Sequence, residues 1–556
     1  MSENQSPVVS SSNTKYISII PENGEVFNPT QKIIYNIEPN LGFIKRDTYL
    51  VFDVLNTSTN QAMVAFPQSV GAHAMIQDIR IYSKTTGVLL EALDNYNQLQ
   101  TILNQYGYDD KTQLRMKEGV GSPTASRLNV VNTANGALAI AGMTTAAYDI
   151  ANLQLSPLAD VAGGLRNTPK YTPRRFCIPL RCGLFRHFDE ERLIPVLNMG
   201  GLRIEINLAD SNLALTRLSC ASDGVADGGT GAGPYGHQFL DLMNGGLLCD
   251  TRGAGGNTTF NITAITSSEK LGLCIGNSVR MSGGNIGADI TRTITGIGDD
   301  NAGNVSITLS GANVAATNNA VRCFVSLVGA GGAGTGSGTG IDAMNYQITN
   351  TEMRVAVVAP NPQQQKDLMK ELTYEFTSYD LFLDNIGQAT LRHQVPINSV
   401  SSKALGVVSI PYDANNERNE SQQSYYNGNT PTDMLINSVQ FFINNKLYPL
   451  RNYNPNSLND KVLAINENVK TLKAIGIPPR HLGANEYSMC EDYNNLYFVG
   501  RELARNGFVF DLRNAEAELR LGFSAARPAG NRIRVNTYVF SKKVVETSPA
   551  GVQVVL

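Results

Sequence analysis

Two sets of short β-like segments follow one another along this chain, and that repetition constrains its fold more than any other feature. The first set reads TKYISII, QKIIYNI, TYLVFDVL, AMIQDIRIY, GVLLEAL, RRFCIPLRCGLF, GLRIEINLAD and EMRVAVVAP. The second reads TYEFTSYDLFL, QATLRHQVPI, ALGVVSIPY, INSVQFFIN, KLYPL, AELRLGFSA and NRIRVNTYVFSKKVV, with YNNLYFVGRELA as a further short helix or edge strand. Each segment is rich in Ile, Val, Leu and Tyr and is closed by Gly, Asn, Asp or Pro, the punctuation of strands and turns. Alternation is cleanest at Leu202, Ile204, Ile206 and Leu208 against Arg203, Glu205 and Asn207, and at Ile533, Val535, Thr537 and Val539 against Arg534, Asn536, Tyr538 and Phe540. A period of two places one set on each face of a strand. Two tandem sets of about eight strands predict a mainly all-β chain of two tandem eight-stranded jelly rolls with short helices.

Helical spacing occurs once inside the first set, at Leu93, Tyr96, Leu99, Leu103 and Tyr106, with Gly107 as the stop. Asn361 and Pro362 supply an N-cap and a first-turn proline ahead of QQQKDLMKEL, which predicts a short helix between the two halves. Residues 119–170 show no periodicity and read as a long excursion. Composition shifts at about residue 211: 27 of the 51 glycines fall within 211–344, which marks that stretch as an insertion. It still carries five strand-like runs, NTTFNITAITS, LGLCIGNSVRMSG, ADITRTITGI, NVSITLSG and AVRCFVSLV, so a small inserted β domain, barrel or sandwich, is expected. The chain thus divides into a flexible arm (1–13), a first roll (14–210 and 345–360), the insertion (211–344), a second roll (361–546) and a tail (547–556).

Composition narrows the function. A net charge of −3 and no basic arm give no field that would gather nucleic acid. The N-terminal MSENQSPVVSSSNTK has neither the basic nor the apolar region of a secretory signal, and no apolar run is long enough for a membrane helix. The seven cysteines (177, 182, 220, 249, 274, 323, 490) form no C-x-x-C pair and read as reduced, small hydrophobes of an intracellularly made protein. The sequons at Asn56, Asn257, Asn261, Asn304 and Asn419 are then coincidental.

Chemistry-bearing motifs are weak. His187 stands beside Asp189, Glu190 and Glu191 in RHFDEER, but one His at irregular spacing from carboxylates is a poor metal or acid–base set. DDNAGN (299–304) departs from a calcium loop at Gly303 and Asn304 and reads as a tight turn. GAGGAGTGSGTG (329–340) lacks the Gly-Lys-Ser/Thr ending of a phosphate loop and reads as a linker. The five histidines (73, 187, 237, 393, 481) are scattered, and no G-x-S-x-G elbow is present. Arg174, Arg175, Arg181 and Arg186 flank one strand and read as partners in ion pairs between elements or subunits. No catalytic, cofactor-binding or metal-binding residue is expected, and no enzymatic activity.

The order of these segments resembles a known family. RRFCIPLRCGLF followed by LIPVLNMGGLRIEINL, MRVAVVAP followed by LTYEFTSYDLFL, LRHQVPINSVSSKALGVV, INSVQFFINNKLYPL and NRIRVNTYVFSKKVV are similar, in that order, to the double jelly-roll major capsid proteins of polinton-like viruses and virophages. Adenovirus hexon and the capsid proteins of nucleocytoplasmic large DNA viruses are more distant relatives. The resemblance spans residues 14–545 and lies in order and spacing rather than in one motif. It implies homotrimers of pseudo-hexagonal outline that tile an icosahedral shell, with minor capsid and penton proteins as partners. It also implies virion localisation, genome contact left to other components, and an outward tower for the insertion. The alternative is a multi-domain β-sandwich binding protein recognising carbohydrate or another surface ligand. The few aromatics of the insertion (Tyr235, Phe239, Phe260, Phe324) speak against it. A hydrolase on a β scaffold would need an acid–base constellation that the sequence does not display.

Overall fold

The computed structural model describes residues 14–57, 64–66, 70–107, 129–132, 138–141, 173–185, 193–217, 247–251, 257–262, 278–282, 290–299, 305–314, 321–326, 345–359, 373–414, 436–455, 457–477, 498–504, 509–513, 515–524, 532–548 and 551–555. The arm 1–13, most of the 119–170 excursion, the linker 329–340 and the helix expected over 363–372 lie outside them.

The first roll has eight principal strands: Thr14–Ile19, Lys32–Ile37, Phe43–Asn56, Ile76–Ser83, Leu89–Leu93, Arg174–Pro179, Leu202–Leu208 and Tyr346–Val358. The second repeats the plan with Thr373–Ile386, Arg392–Pro396, Ala404–Asp413, Ile436–Ile443, Lys446–Tyr453, Val499–Glu502, Ala517–Phe523 and Ile533–Ser548. In each roll the first, eighth, third and sixth strands form one antiparallel sheet, and the second, seventh, fourth and fifth form the other. That order is a jelly roll, written twice. YNNLYFVGRELA supplies the edge strand Val499–Glu502, hydrogen-bonded to Ala404–Asp413.

Local chemistry explains the elements. In the second roll, Asn444 and Asn445 both take positive φ (49° and 62°) between Ile436–Ile443 and Lys446–Tyr453. Asparagine tolerates that region, and two such residues make the tight hairpin turn whose twist suits the flanking strands. The alternation in Leu202–Leu208 places Leu202, Ile204, Ile206 and Leu208 in the core.

Each roll also carries one helix between its fifth and sixth strands. Tyr96–Gly107 is the helix that the sequence predicts. Leu458–Ala474 is one that it does not. The latter buries Ala464, Ile465, Val469 and Leu472, and its Asn468 holds the edge strand: Nδ2 donates to the Phe498 carbonyl (3.0 Å), and Oδ1 accepts from the Gly500 N–H (2.6 Å).

Between the seventh and eighth strands of the first roll lies a closed antiparallel barrel, in the order Leu247–Thr251, Thr259–Ile262, Val305–Leu309, Ile290–Asp299, Ser278–Ser282 and Val321–Ser326. Five of its strands fall in the five predicted runs; the sixth, LLCDT, is additional. Cys249, Phe260, Met281, Ile294 and Ile307 fill it. The last residues, read from sequence as a tail, include the strand Gly551–Val555, which folds back on Ile533–Ser548.

Candidate functional site: the seam between the rolls

The first-roll helix buries polar as well as apolar side chains. Its apolar stripe (Tyr96, Leu99, Ile102, Tyr106) is inside, and so are Asn97, Gln98, Gln100, Thr101 and Asn104. Buried amides are costly unless they are hydrogen-bonded. Here the second roll provides partners. Asn536 Nδ2 donates to Gln98 Oε1 (2.5 Å), and the Tyr412 hydroxyl donates to the Gln98 carbonyl (3.3 Å). On its own side Asn97 donates to the Ala74 carbonyl (3.3 Å) and Asn104 to that of Val70 (3.4 Å).

The facing strand, Ile533–Ser548, is buried on both faces from Val535 to Ser541, because one face lines the second roll's own core and the other meets the first roll. Tyr538 and Tyr379 donate to the carbonyls of Asn95 and Asp94, each at 3.2 Å. The two rings stand edge to face with centroids 5.2 Å apart. Burial pushes both phenols well above their usual pKa, so they stay donors across the working pH range. Tyr106 and Phe498 add a second edge-to-face pair across the seam at 5.1 Å. Arg46 Nε donates to the Tyr374 hydroxyl (2.6 Å), with its guanidinium over the same ring.

Glu91 is the joint of this seam. Its carboxylate accepts from the Gly183 N–H (2.7 Å), the Leu184 N–H (3.0 Å) and the Ser378 hydroxyl (2.7 Å), so one side chain fixes a first-roll loop and a second-roll strand together. Burial raises its pKa; those hydrogen bonds and the charge of Lys543 oppose the rise. Lys543, itself nearly buried, pairs with Asp380 at 2.8 Å.

His73 sits behind the helix. Its Nδ1 lies 3.0 Å from the Tyr96 hydroxyl, and its Nε2 has no partner among the described residues. Burial, and then the charge of Arg181, hold its pKa well below the usual value of 6.5. The unfolded chain therefore takes up a proton that the folded chain refuses. The stability this group contributes is complete above pH 6.5 and is lost as pH falls below it. Between pH 6.5 and 5, denaturant titrations should lose up to about 1.4 kcal/mol per pH unit from this one group. A His73→Asn variant, compared with wild type over that window, should show a flatter profile; equal slopes would refute the assignment.

The sequence-predicted residues fare unevenly. Arg175 pairs with Asp53 through two hydrogen bonds (2.7 and 3.0 Å), an ion pair between neighbouring strands. Arg181 donates to Gln100 and Asn104, and Arg174 lies over the Phe176 ring. The ion-pair reading thus holds for Arg175. Arg186, the RHFDEER cluster with His187, residues 300–304, His237 and His481 lie outside the described residues.

His393 pairs with Asp384 at 2.8 Å on the second roll. Among the described residues no group of three or more His, Cys, Asp or Glu is placed to hold a metal, and no helix is long and apolar enough to cross a membrane. Cys177, Cys182 and Cys249 are free thiols; Cys182 and Cys249 are buried, and Cys177 is exposed because its strand turns Phe176 and Ile178 inward. Cys220, Cys274 and Cys490 lie outside the described residues. Asn56 of the Asn-Thr-Ser sequon is fully buried.

The sequence matches no family model and no curated protein. Solved structures do match. The Faustovirus major capsid protein superposes with a TM-score of 0.50 at 11% identity, covering 99% of this chain and 92% of that one. A chain of the Sputnik virophage structure superposes with a TM-score of 0.50 at 9% identity, covering 100% and 91%. At such identities the likeness establishes the fold: this chain is a double jelly roll of the kind found in viral major capsid proteins.

Proposed function

We propose that this chain is a major capsid protein that forms homotrimeric, pseudo-hexameric capsomers of an icosahedral virion. The observation that carries the reading is the repeated strand order of two rolls locked by a continuous seam. Two equivalent lobes per chain give six around a threefold axis, so a trimer can tile as a hexagon. The near-full-length likeness to the Faustovirus capsid protein and to the Sputnik chain supports it. Rigid coupling of the lobes is what such tiling requires, and the buried polar contacts at Glu91, Gln98 and Tyr538 serve that end. The partners would be other copies of the chain, then minor capsid and penton proteins. No catalytic activity is proposed. The barrel within 211–344 would stand as an outward tower; its Phe260 is spent on the barrel's own core rather than on a sugar-stacking surface.

Light scattering with negative-stain imaging of the same fraction tests this. Three chains of 60.1 kDa should give a particle of about 180 kDa with a hexagonal outline. A protein that remains a 60.1 kDa monomer when concentrated would overturn the reading.

A further inference from the structure

A half-open hollow of about 290 Å³ lies on the second roll, where the strand Lys446–Tyr453, the helix Leu458–Ala474 and the edge strand Val499–Glu502 meet. Ile443, Leu503 and Phe510 are its apolar walls, and Tyr448, Lys470, Arg501 and Glu502 its polar ones. Arg501 is held from two sides. Its guanidinium lies over the Tyr448 ring, 4.6 Å from the centroid, and its Nη1 donates to Glu467 Oε2 (2.6 Å). Lys470 takes the other Glu467 oxygen (2.9 Å), so one carboxylate serves two cations. The Nε–Nη2 edge of Arg501 has no hydrogen-bond partner among the described residues, and neither nitrogen is sealed from solvent. In Arg175 the same edge grips the Asp53 carboxylate with two hydrogen bonds, at 2.7 and 3.0 Å.

We propose that this hollow binds an aliphatic monocarboxylate, with its carboxylate on the Nε–Nη2 edge of Arg501 and its alkyl chain along Ile443, Leu503 and Phe510. The planar fork of a guanidinium matches the two oxygens of a carboxylate, which a point charge does not. The Tyr448 ring and Glu467 already fix the plane of that fork, so little side-chain freedom is lost on binding. Apolar walls beside a few fixed polar groups are the usual make-up of a small-molecule site. Glu502 sets the selectivity. No hydrogen bond or ion pair among the described residues engages its carboxylate, so a second anionic group on the ligand would meet an uncompensated negative charge. Because the hollow is open on one side, the far end of the chain can reach water. This inference does not depend on what the rolls assemble into.

Three probes of one chain length test it on the full-length protein at neutral pH: hexanoate, hexanol, which lacks the charge, and adipate, which carries a second one. At about 20 mM, hexanoate should raise Tm by about 1–2 °C, and the other two should not. Saturation-transfer NMR should show contact at the hexanoate methyl group. Arg501→Lys, which keeps the charge and loses the fork, should weaken hexanoate binding by about tenfold or more. Glu502→Gln should let adipate bind as hexanoate does, and it serves where the arginine variant loosens the edge strand. Equal responses to hexanoate and hexanol, no response to hexanoate, hexanoate binding unchanged in Arg501→Lys, or adipate still excluded by Glu502→Gln would overturn the proposal.

Discussion

Replacing Gly183 by alanine should uncouple the two rolls. A β-carbon at this position would lie 2.3 Å from the Thr377 carbonyl oxygen, 2.7 Å from the Phe376 ring and 2.8 Å from Glu91 Oε1. The first contact is with the backbone of a strand hydrogen-bonded along its length to Ile533–Ser548, so it cannot swing aside as a side-chain tip would. The added methyl must push the loop away from the second roll, and with it the two N–H groups that Glu91 accepts. Overpacking costs about 1–3 kcal/mol by itself, and the displaced hydrogen bonds add to it. The expected signature is loss of cooperativity. Wild type should melt as one unit, whereas Gly183→Ala should show two transitions with little loss of far-ultraviolet signal from the strands. A single transition within about 1 °C of wild type would show that the loop yields more easily than this geometry allows.

The seam was the part least visible in the sequence, and the reason is physical. Strands announce themselves by local alternation, so the segments of both rolls could be read directly, as could Tyr96–Gly107 from its apolar spacing. Nothing local to Asn97, Gln98, Gln100 and Asn104 says that another roll covers them. The same holds for Asn536 and Tyr538, on a strand that serves two interfaces at once. The apolar stripe of the helix Leu458–Ala474 is blurred in sequence, because Asn468 and Thr471 lie inside with Ile465, Val469 and Leu472 while Val462 and Leu463 stand exposed, although Gly476, in the left-handed region at φ 78°, marks its stop. Glu91 carries no local mark within GVLLEAL. Its role depends on Gly183 and Ser378, residues 92 and 287 positions away. Contacts across such separations are set by topology, which one sequence does not encode locally.

Glu91→Leu should be the most damaging single change at the seam. Leucine has nearly the same bulk, so the packing survives while three donors, the Gly183 and Leu184 N–H groups and the Ser378 hydroxyl, lose their acceptor in a site closed to water. Each buried unsatisfied donor costs about 1–3 kcal/mol. Removing the carboxylate's own desolvation penalty offsets part of that, so a net loss of about 3–5 kcal/mol is expected, in line with breaking one side of a buried charged cluster. Glu91→Gln should cost less. It keeps one oxygen acceptor, but its amide NH2 must face a donor. Chemical denaturation should therefore order the variants wild type, Gln, Leu in falling stability. Combined with Gly183→Ala, Glu91→Leu should add far less than its separate effect, because the glycine variant has already drawn two of the three donors away. Full additivity would mean that the two residues stabilise separate places and that Glu91 is not the joint between the rolls.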